Sequence, residues 1–167
     1  MRGHDEASVA SLAITPAAAD KAPGCLKIRA MNLRRNLVPT SKTDLQRAQA
    51  AVDAGYPTVA PILGELVEWL KDYNWPVAHV LAPFLASVGA PLVPHIWHVL
   101  RSNDDIWKYW VIPLLLPALP PSIAAEFRPE LDRLCYVPHP HEKMEELDEQ
   151  ARSVLEHFGW LREGPAN

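Results

Sequence analysis

Residues 74–113 read NWPVAHVLAPFLASVGAPLVPHIWHVLRSNDDIWKYWVIP, and this stretch repeats itself. Asn74 is followed nine residues later by Pro83. Asp104 is followed nine residues later by Pro113, which is the same spacing after a shift of 30. Apolar residues at helical spacing follow both starting points, so each half of the stretch predicts an amphipathic helix with a proline inside it.

The segment that joins these two helices is repeated as well. The pattern Gly-x-Pro-x-Val-x-x-Ile-x-x-x-Leu occurs from Gly55 to Leu66 and again from Gly89 to Leu100, a shift of 34. A period of roughly 30–35 residues with helical apolar spacing is typical of stacked helix pairs, because no pair can bury its apolar face alone. The sequence therefore predicts an all-α fold of consecutive, layered helices.

Composition supports a folded helical body. Hydrophobic residues make up 49% of the 167 residues and charged residues 22%, and Pro (17) far outnumbers Gly (7). Few glycines argue against strand-rich folds, which depend on glycine turns. The most apolar run, residues 110–119, is too short to span a bilayer, which needs roughly 20 residues. The two cysteines, Cys25 and Cys135, form no framework, so we expect reduced thiols, a cytoplasmic location and no membrane partner.

Charge is unevenly distributed along the chain. Residues 1–36 hold six basic and three acidic groups, whereas the remainder holds ten basic and seventeen acidic groups, a net charge of −7. An acidic body repels phosphate, so nucleic acid is not expected as a partner and a basic protein is favoured. We expect residues 1–36 to be a mobile tail, or an over-extended N-terminus if Met31 is the natural start. Residues 37–163 are then the folded domain.

Cap and stop residues predict about seven helices. A capping box from Ser41 to Asp44 opens the first helix, and Gly55 ends it. We expect later helices to begin at Thr58, Asn74, Pro91, Asp104 or Asp105, and Ser122, and the helix from Asn74 to end at Gly89. A loop at residues 139–141 leads to a last helix whose apolar face comprises Met144, Leu147, Ala151, Val154, Leu155 and Phe158.

Five motifs in order resemble a small, mainly bacterial, HEAT-like group catalogued only as a domain of unknown function. They are LVPTSKTD (37–44), GYP (55–57), DYNWPVA (72–78), PHI (94–96) and DDIWKYW (104–110). The resemblance covers roughly residues 37–156. It implies an armadillo-type fold, which we expect to be a short right-handed superhelix of about three HEAT-like helix pairs plus a C-terminal capping helix. It implies no activity, substrate or catalytic residue.

Two turns of the repeat form the candidate binding edge. Aromatic and charged residues cluster there, and exposed Trp and charged residues are typical of protein-binding hot spots. The alternative interpretation is that the tryptophans are core, the acids cap helices and the lysine is solvated. The predicted partner-binding residues are Asn74, Trp75, His95, Asp104, Asp105, Trp107, Lys108 and Trp110.

Other constellations give weaker signals. His95 and His98 lie on one helical face, but zinc needs three or four ligands and none of the other candidates, His79, Glu65 and Glu68, has a recognisable spacing. Glu65 and Glu68 also share a face, as an acid–base pair would, yet their neighbours are polar. No phosphate loop or nucleophile motif occurs. We therefore expect no catalytic residue, metal or cofactor, and a protein that is not an enzyme.

The sequence thus favours a non-catalytic protein–protein interaction module. One alternative is a HEAT-like enzyme acting on nucleic acid, with tryptophans stacking on a base. A second is an immunity-type protein that neutralises a toxin, which the sequence does not distinguish from the module. Oligomeric state has no signal in the sequence.

Overall fold

The structure, a computed structural model, describes residues 31–162. Every regular element in this range is helical and no strand occurs in it, which confirms the all-α prediction. Five short 3₁₀ turns, Ala60–Ile62, Trp69–Lys71, Ala90–Leu92, Leu116–Ala118 and Ala125–Phe127, extend or connect the α-helices. The α-helices are α1 (31–37), α2 (Leu45–Ala54), α3 (Leu63–Glu68), α4 (Pro76–Val88), α5 (Val93–Leu100), α6 (Asp105–Leu115), α7 (Pro121–Ala124), α8 (Arg128–Tyr136), α9 (Pro140–Met144) and α10 (Leu147–His157).

Alternate helices pack in chain order. Helix α4 contacts both α2 and α6, and α6 contacts both α4 and α10. Helix α3 contacts α5, and α8 packs along α10. One continuous apolar core runs through these contacts from Ala48 to Leu155. The core is thus shared along the series α2, α4, α6 and α10.

The repeat has a uniform shift of 30 in its helices. The turn Ala60–Ile62 leads into α3 as Ala90–Leu92 leads into α5. The connecting segments match at a shift of 34 in the sequence, but the helices that follow them start 30 residues apart, because four residues between Gly55 and Ala60 have no counterpart after Gly89. At a shift of 30, the buried residues of α4 and α6 coincide: Val77 with Trp107, Ala78 with Lys108, Leu81 with Val111, Ala82 with Ile112, and Leu85 with Leu115.

Helix ends follow the sequence signals in part. Gly55 (φ 64°) and Gly89 (φ 75°) end α2 and α4 in the left-handed region that favours glycine, as predicted. Asp104 caps α6 through a carboxylate that accepts from the Trp107 amide at 3.0 Å. In the first helix, however, the cap is Asp44 and not Ser41.

Two other predicted caps are wrong. No side chain caps α4, because Asn74 turns its amide towards Asp72 and Trp75 occupies the cap position. Thr58 caps nothing either, since the Ala60–Ile62 turn precedes α3. The predicted helix from Ser122 is divided into α7, a 3₁₀ turn and α8.

The C-terminal part differs most from expectation. Residues 139–141, predicted as a loop, open α9, where His139 and Glu142 form a capping box. Met144 is 81% exposed and does not join the apolar face of α10, which buries Leu147, Ala151, Val154 and Leu155. A left-handed residue, Glu146 (φ 58°), separates the two helices and redirects the chain.

The predicted N-terminal tail overlaps the described part of the chain only at residues 31–36. These residues belong to α1, and Leu33 packs against the core. Residues 1–30 and 163 of the predicted segments lie outside the described residues.

Within residues 31–162, no single helix is both long and apolar enough to cross a membrane. Only α4 taken together with the segment Ala90–Leu100 meets both criteria, and these two are bent by 113° relative to each other.

Candidate functional site

A groove lies where the start of α6 meets the junction of α9 and α10. Its main cavity has a volume of about 470 Å³, and a second recess of about 400 Å³ adjoins it. The two share Ile106, Met144 and Glu145, so we treat them as one surface, the α6–α9 groove. The groove is lined by Asp72, Asn74, Asn103, Asp104, Asp105, Ile106, Tyr109, Trp110, His141, Met144, Glu145 and Glu146.

Apolar and acidic groups share this surface. Ile106 is 46% exposed and Met144 is 81% exposed, although both are large hydrophobic side chains. Around them lie the carboxylates of Asp72, Asp104, Glu145 and Glu146, none of which has an ion pair within residues 31–162. The groove therefore combines exposed apolar side chains with negative charge, which is unusual for a surface that is only solvated.

Aromatic rings form one wall of the groove. The Tyr109 ring meets the Trp110 ring edge-on, with centroids 4.9 Å apart and planes at 85°. Behind them, the Tyr73 ring lies 5.8 Å from the Trp110 ring. Tyr73 precedes Asn74 in the turn before α4, so this contact joins the two repeated turns. Asn74 from the first turn and Trp110 from α6 line the same cavity.

Beneath the groove lies a network of charged side chains. Lys108 Nζ donates to Asp105 Oδ1 at 2.8 Å and lies 4.0 Å from Glu142 Oε1. Glu142 accepts two hydrogen bonds from the Arg133 guanidinium, at 2.7 and 2.8 Å. His141 pairs with the second oxygen of Asp105. The network ties α6, α8 and α9 together, and so it fixes the wall that carries Met144 and Glu145.

The network shifts the protonation of its carboxyl groups. Hydrogen bonds from Arg133 outweigh the effect of burial and lower the pKa of Glu142 to about 2. Burial alone would raise the pKa of Asp105, but hydrogen bonds from Lys108 and His141 bring it below its ordinary value. Both carboxylates are therefore ionised at neutral pH, and the short helix α9 is held by charge as well as by packing.

Two predicted contact residues are buried. Trp107 is 5% exposed, and its indole N–H donates to the Val67 carbonyl at 3.2 Å. Lys108 is also 5% exposed, so the expectation of a solvated or displayed lysine is wrong. A partner cannot touch either side chain, but Lys108 reaches the groove indirectly through Asp105, whose side chain is 11% exposed.

Two further predicted residues lie away from the groove. Trp75 packs edge-on against Trp69, with ring centroids 5.8 Å apart, and lines a separate cavity with Val38. His95 lies against Gly64, where its ring atoms come within 3.3 Å of the position that a Cβ would take. Burial and the neighbouring His98 lower the pKa of His95. Of the predicted set, the groove thus contains Asn74, Asp104, Asp105 and Trp110.

Eight of the twelve groove-lining residues are absent from the predicted set. Glu145 and Glu146 are among them, and the sequence pattern assigns Met144 to the apolar face of the last helix. Their position depends on α9, which has only five residues and lies too far from α6 in sequence for any spacing to connect them. The available signal was Pro140, because proline is favoured at the first position of a helix.

The weaker candidates have structural partners. Glu65 pairs with Arg34, and Glu68 lies 3.4 Å from Lys71. In residues 31–162, no group of three His, Cys, Asp or Glu side chains is placed to hold a metal ion.

Comparison with known families agrees with the motifs of the repeat. A family model described as a domain of unknown function (DUF5071) matches residues 37–155. The chain belongs to the DUF5071 family. The matched DUF5071 range includes every residue of the α6–α9 groove and all of the charge network beneath it. A search of curated proteins found no match to the chain.

Proposed function

We propose that this DUF5071 protein is a non-catalytic protein-binding module and that the α6–α9 groove is its partner surface. One observation carries the proposal: Ile106 and Met144 are exposed among carboxylates that have no ion pair within residues 31–162. Exposed apolar side chains lower the free energy of a complex when a partner covers them. Unpaired carboxylates favour a partner with the opposite charge.

The proposal includes the architecture. The consecutive contacts of α2, α4, α6 and α10, with a 30-residue shift between equivalent helices, support a HEAT-like superhelix closed by α10. Repeat arrays of this kind offer extended surfaces on which another polypeptide can lie. The groove is at the C-terminal end of the array, where α9 interrupts the regular alternation.

The sign of the charge favours a protein over a nucleic acid as the partner. Five of the groove-lining residues are acidic, namely Asp72, Asp104, Asp105, Glu145 and Glu146. Phosphate backbones would be repelled from such a surface. A basic protein would instead be attracted, and its association would weaken as salt screens the charges. A toxin-neutralising protein would be one instance of this module.

Site-specific photo-crosslinking in the native host tests the proposal. A photoreactive residue replaces Met144 in the full chain, or Ile106 in a second variant. A matched one replaces Val137, which is 71% exposed but outside the groove. We expect the same partner protein to be captured from position 144 and from position 106, and not from position 137. Capture that is equal at all three positions, or that occurs only at position 137, would contradict the assignment of the groove.

A further inference from the structure

We propose that the aromatic corner of the α6–α9 groove, formed by Tyr109 and Trp110, receives one cationic side chain, an arginine or lysine, of the partner protein. This inference rests on the proposed function and specifies its chemistry. The cavity places two aromatic rings and three carboxylates, from Asp72, Glu145 and Glu146, around one space of about 470 Å³.

The aromatic geometry suits a cation. The two rings stand at 85° with centroids 4.9 Å apart, so they form a corner rather than a stack. The electron-rich face of an aromatic ring attracts a guanidinium or ammonium group within about 6 Å of its centroid. Tyr73 supports Trp110 from behind, at 5.8 Å, and so limits its movement. The corner is held in place before any partner arrives.

The carboxylates face the same space. Asp72 is oriented locally, because its Oδ1 accepts from the backbone amide and the side-chain amide of Asn74 at 2.8 and 2.9 Å. Glu145 and Glu146 come from the opposite wall, at the junction of α9 and α10. A cation in the corner would thus meet negative charge on both sides. Ile106 and Met144 would cover the aliphatic stem that Arg and Lys side chains carry.

In the part of the chain that the structure describes, three of the other five tryptophans hold a cation, and Trp69 and Trp75, which pack against each other, do not. Lys71 lies 4.6 Å from the Trp107 ring centroid, Arg101 lies 4.7 Å from that of Trp97, and Arg128 lies 5.7 Å from that of Trp160. Within residues 31–162, no Lys or Arg occupies the corresponding place over Trp110, although carboxylates surround it. We therefore expect the cation that binds this aromatic corner to come from another molecule.

A titration of the full chain with a small probe tests the inference. The probe is Nα-acetyl-L-argininamide, and its neutral counterpart is Nα-acetyl-L-citrullinamide, which has the same shape without the charge. Binding is followed by NMR at the Trp110 indole N–H, assigned with Trp110→Phe. We expect a saturable shift of this signal with the arginine probe and none with the citrulline probe at the same concentrations.

Charge-matched variants locate the site. The double change Glu145→Gln and Glu146→Gln should weaken binding of the arginine probe about tenfold, because two carboxylates beside the cation are lost. Glu149→Gln with Glu156→Gln removes the same charge from exposed positions of α10 outside the groove, and should leave the dissociation constant unchanged.

The outcomes separate this inference from the proposed function. Equal shifts with both probes, no shift at Trp110, or equal weakening by both double variants would overturn the cation site. The proposed function would survive that result if position 144 still captured a protein. A crosslink from position 144 only to a second copy, or to residues 1–30 of the same chain, would overturn the inference because the occupant would then not be a partner protein.

Discussion

Lys108 shows what a single residue's spacing can and cannot predict. Trp107, Val111 and Leu114 share one helical face, and on that basis Lys108 belongs to a different, solvated face. Helix α6 instead packs against α4 on one side and α10 on the other, so its buried arc is wide enough to include Lys108. Asp105 and Glu142 face the buried ammonium group there and supply the opposite charge that its burial requires. The spacing of residues within α6 does not indicate this contact, because Glu142 lies 34 residues further along the chain.

Glu142 should make the stability of the fold sensitive to acid. Its pKa falls from 4.5 to about 2 in the folded protein, so the ionised form stabilises the fold above pH 4.5. That contribution, about 3 kcal/mol at neutral pH, is lost as the pH drops from about 4.5 through about 2. We expect Glu142→Gln to lower the free energy of unfolding by about 2–3 kcal/mol at pH 7 and by much less at pH 3, measured by urea denaturation.

Glu149→Gln is the control for this comparison. Glu149 is exposed on α10 and has no ion pair within the described residues, so its neutralisation should change stability by less than about 0.5 kcal/mol at either pH. A Glu142→Gln deficit that stays constant between pH 7 and pH 3 would show that its ionisation does not stabilise the fold.

At the scale of helices, glycine stops and proline starts were predictable, and caps only in part. Gly55 and Gly89 were found because a left-handed residue after a helix strongly favours glycine. Asp104 was found for a similar reason, since its carboxylate meets a free amide. Asn74 has the same chemistry at the equivalent repeat position but bonds to Asp72 instead. Asp72, an acid two residues before Asn74, therefore binds the Asn74 side chain and keeps it from capping α4.

The two equivalent turns should respond differently to the same substitution. Asp104→Ala should lower the free energy of unfolding by about 1 kcal/mol, because the Trp107 amide loses its acceptor. Asn74→Ala should lower it by less than about 0.5 kcal/mol, since no amide of α4 depends on Asn74. Thermal and urea denaturation of both variants measures the difference, and equal losses would show that Asn74 caps α4 in solution.

For the whole molecule, the repeat predicted the helical class, but not the register or the groove. A shift of 34 was read from the glycine–proline pattern, whereas the helices themselves follow a shift of 30. The difference arises from the four residues after Gly55, which make the connection between α2 and α3 longer than the connection between α4 and α5. The groove was not predicted because one of its walls is formed at α9, a short helix that has no equivalent in the repeat.

Removing α10 should abolish cooperative unfolding of the protein. Leu147, Val154 and Leu155 are fully or almost fully buried against α6 and α8. Burial of each such side chain stabilises by about 1.5–3 kcal/mol, and the whole protein is expected to be stable by only about 5–15 kcal/mol. A chain that ends at Glu146 should lose its sharp thermal transition and bind a hydrophobic dye, whereas one that ends at Arg162 should melt like the full chain.

Ala78 in α4 and Lys108 in α6 occupy equivalent positions of the repeat. This difference limits where a further copy of the repeat could be inserted. Inserting a copy of the α4 unit next to α9 would place an alanine where Lys108 now lies between Asp105 and Glu142. We therefore expect an inserted copy to be tolerated better on the N-terminal side of α6 than between α6 and α9.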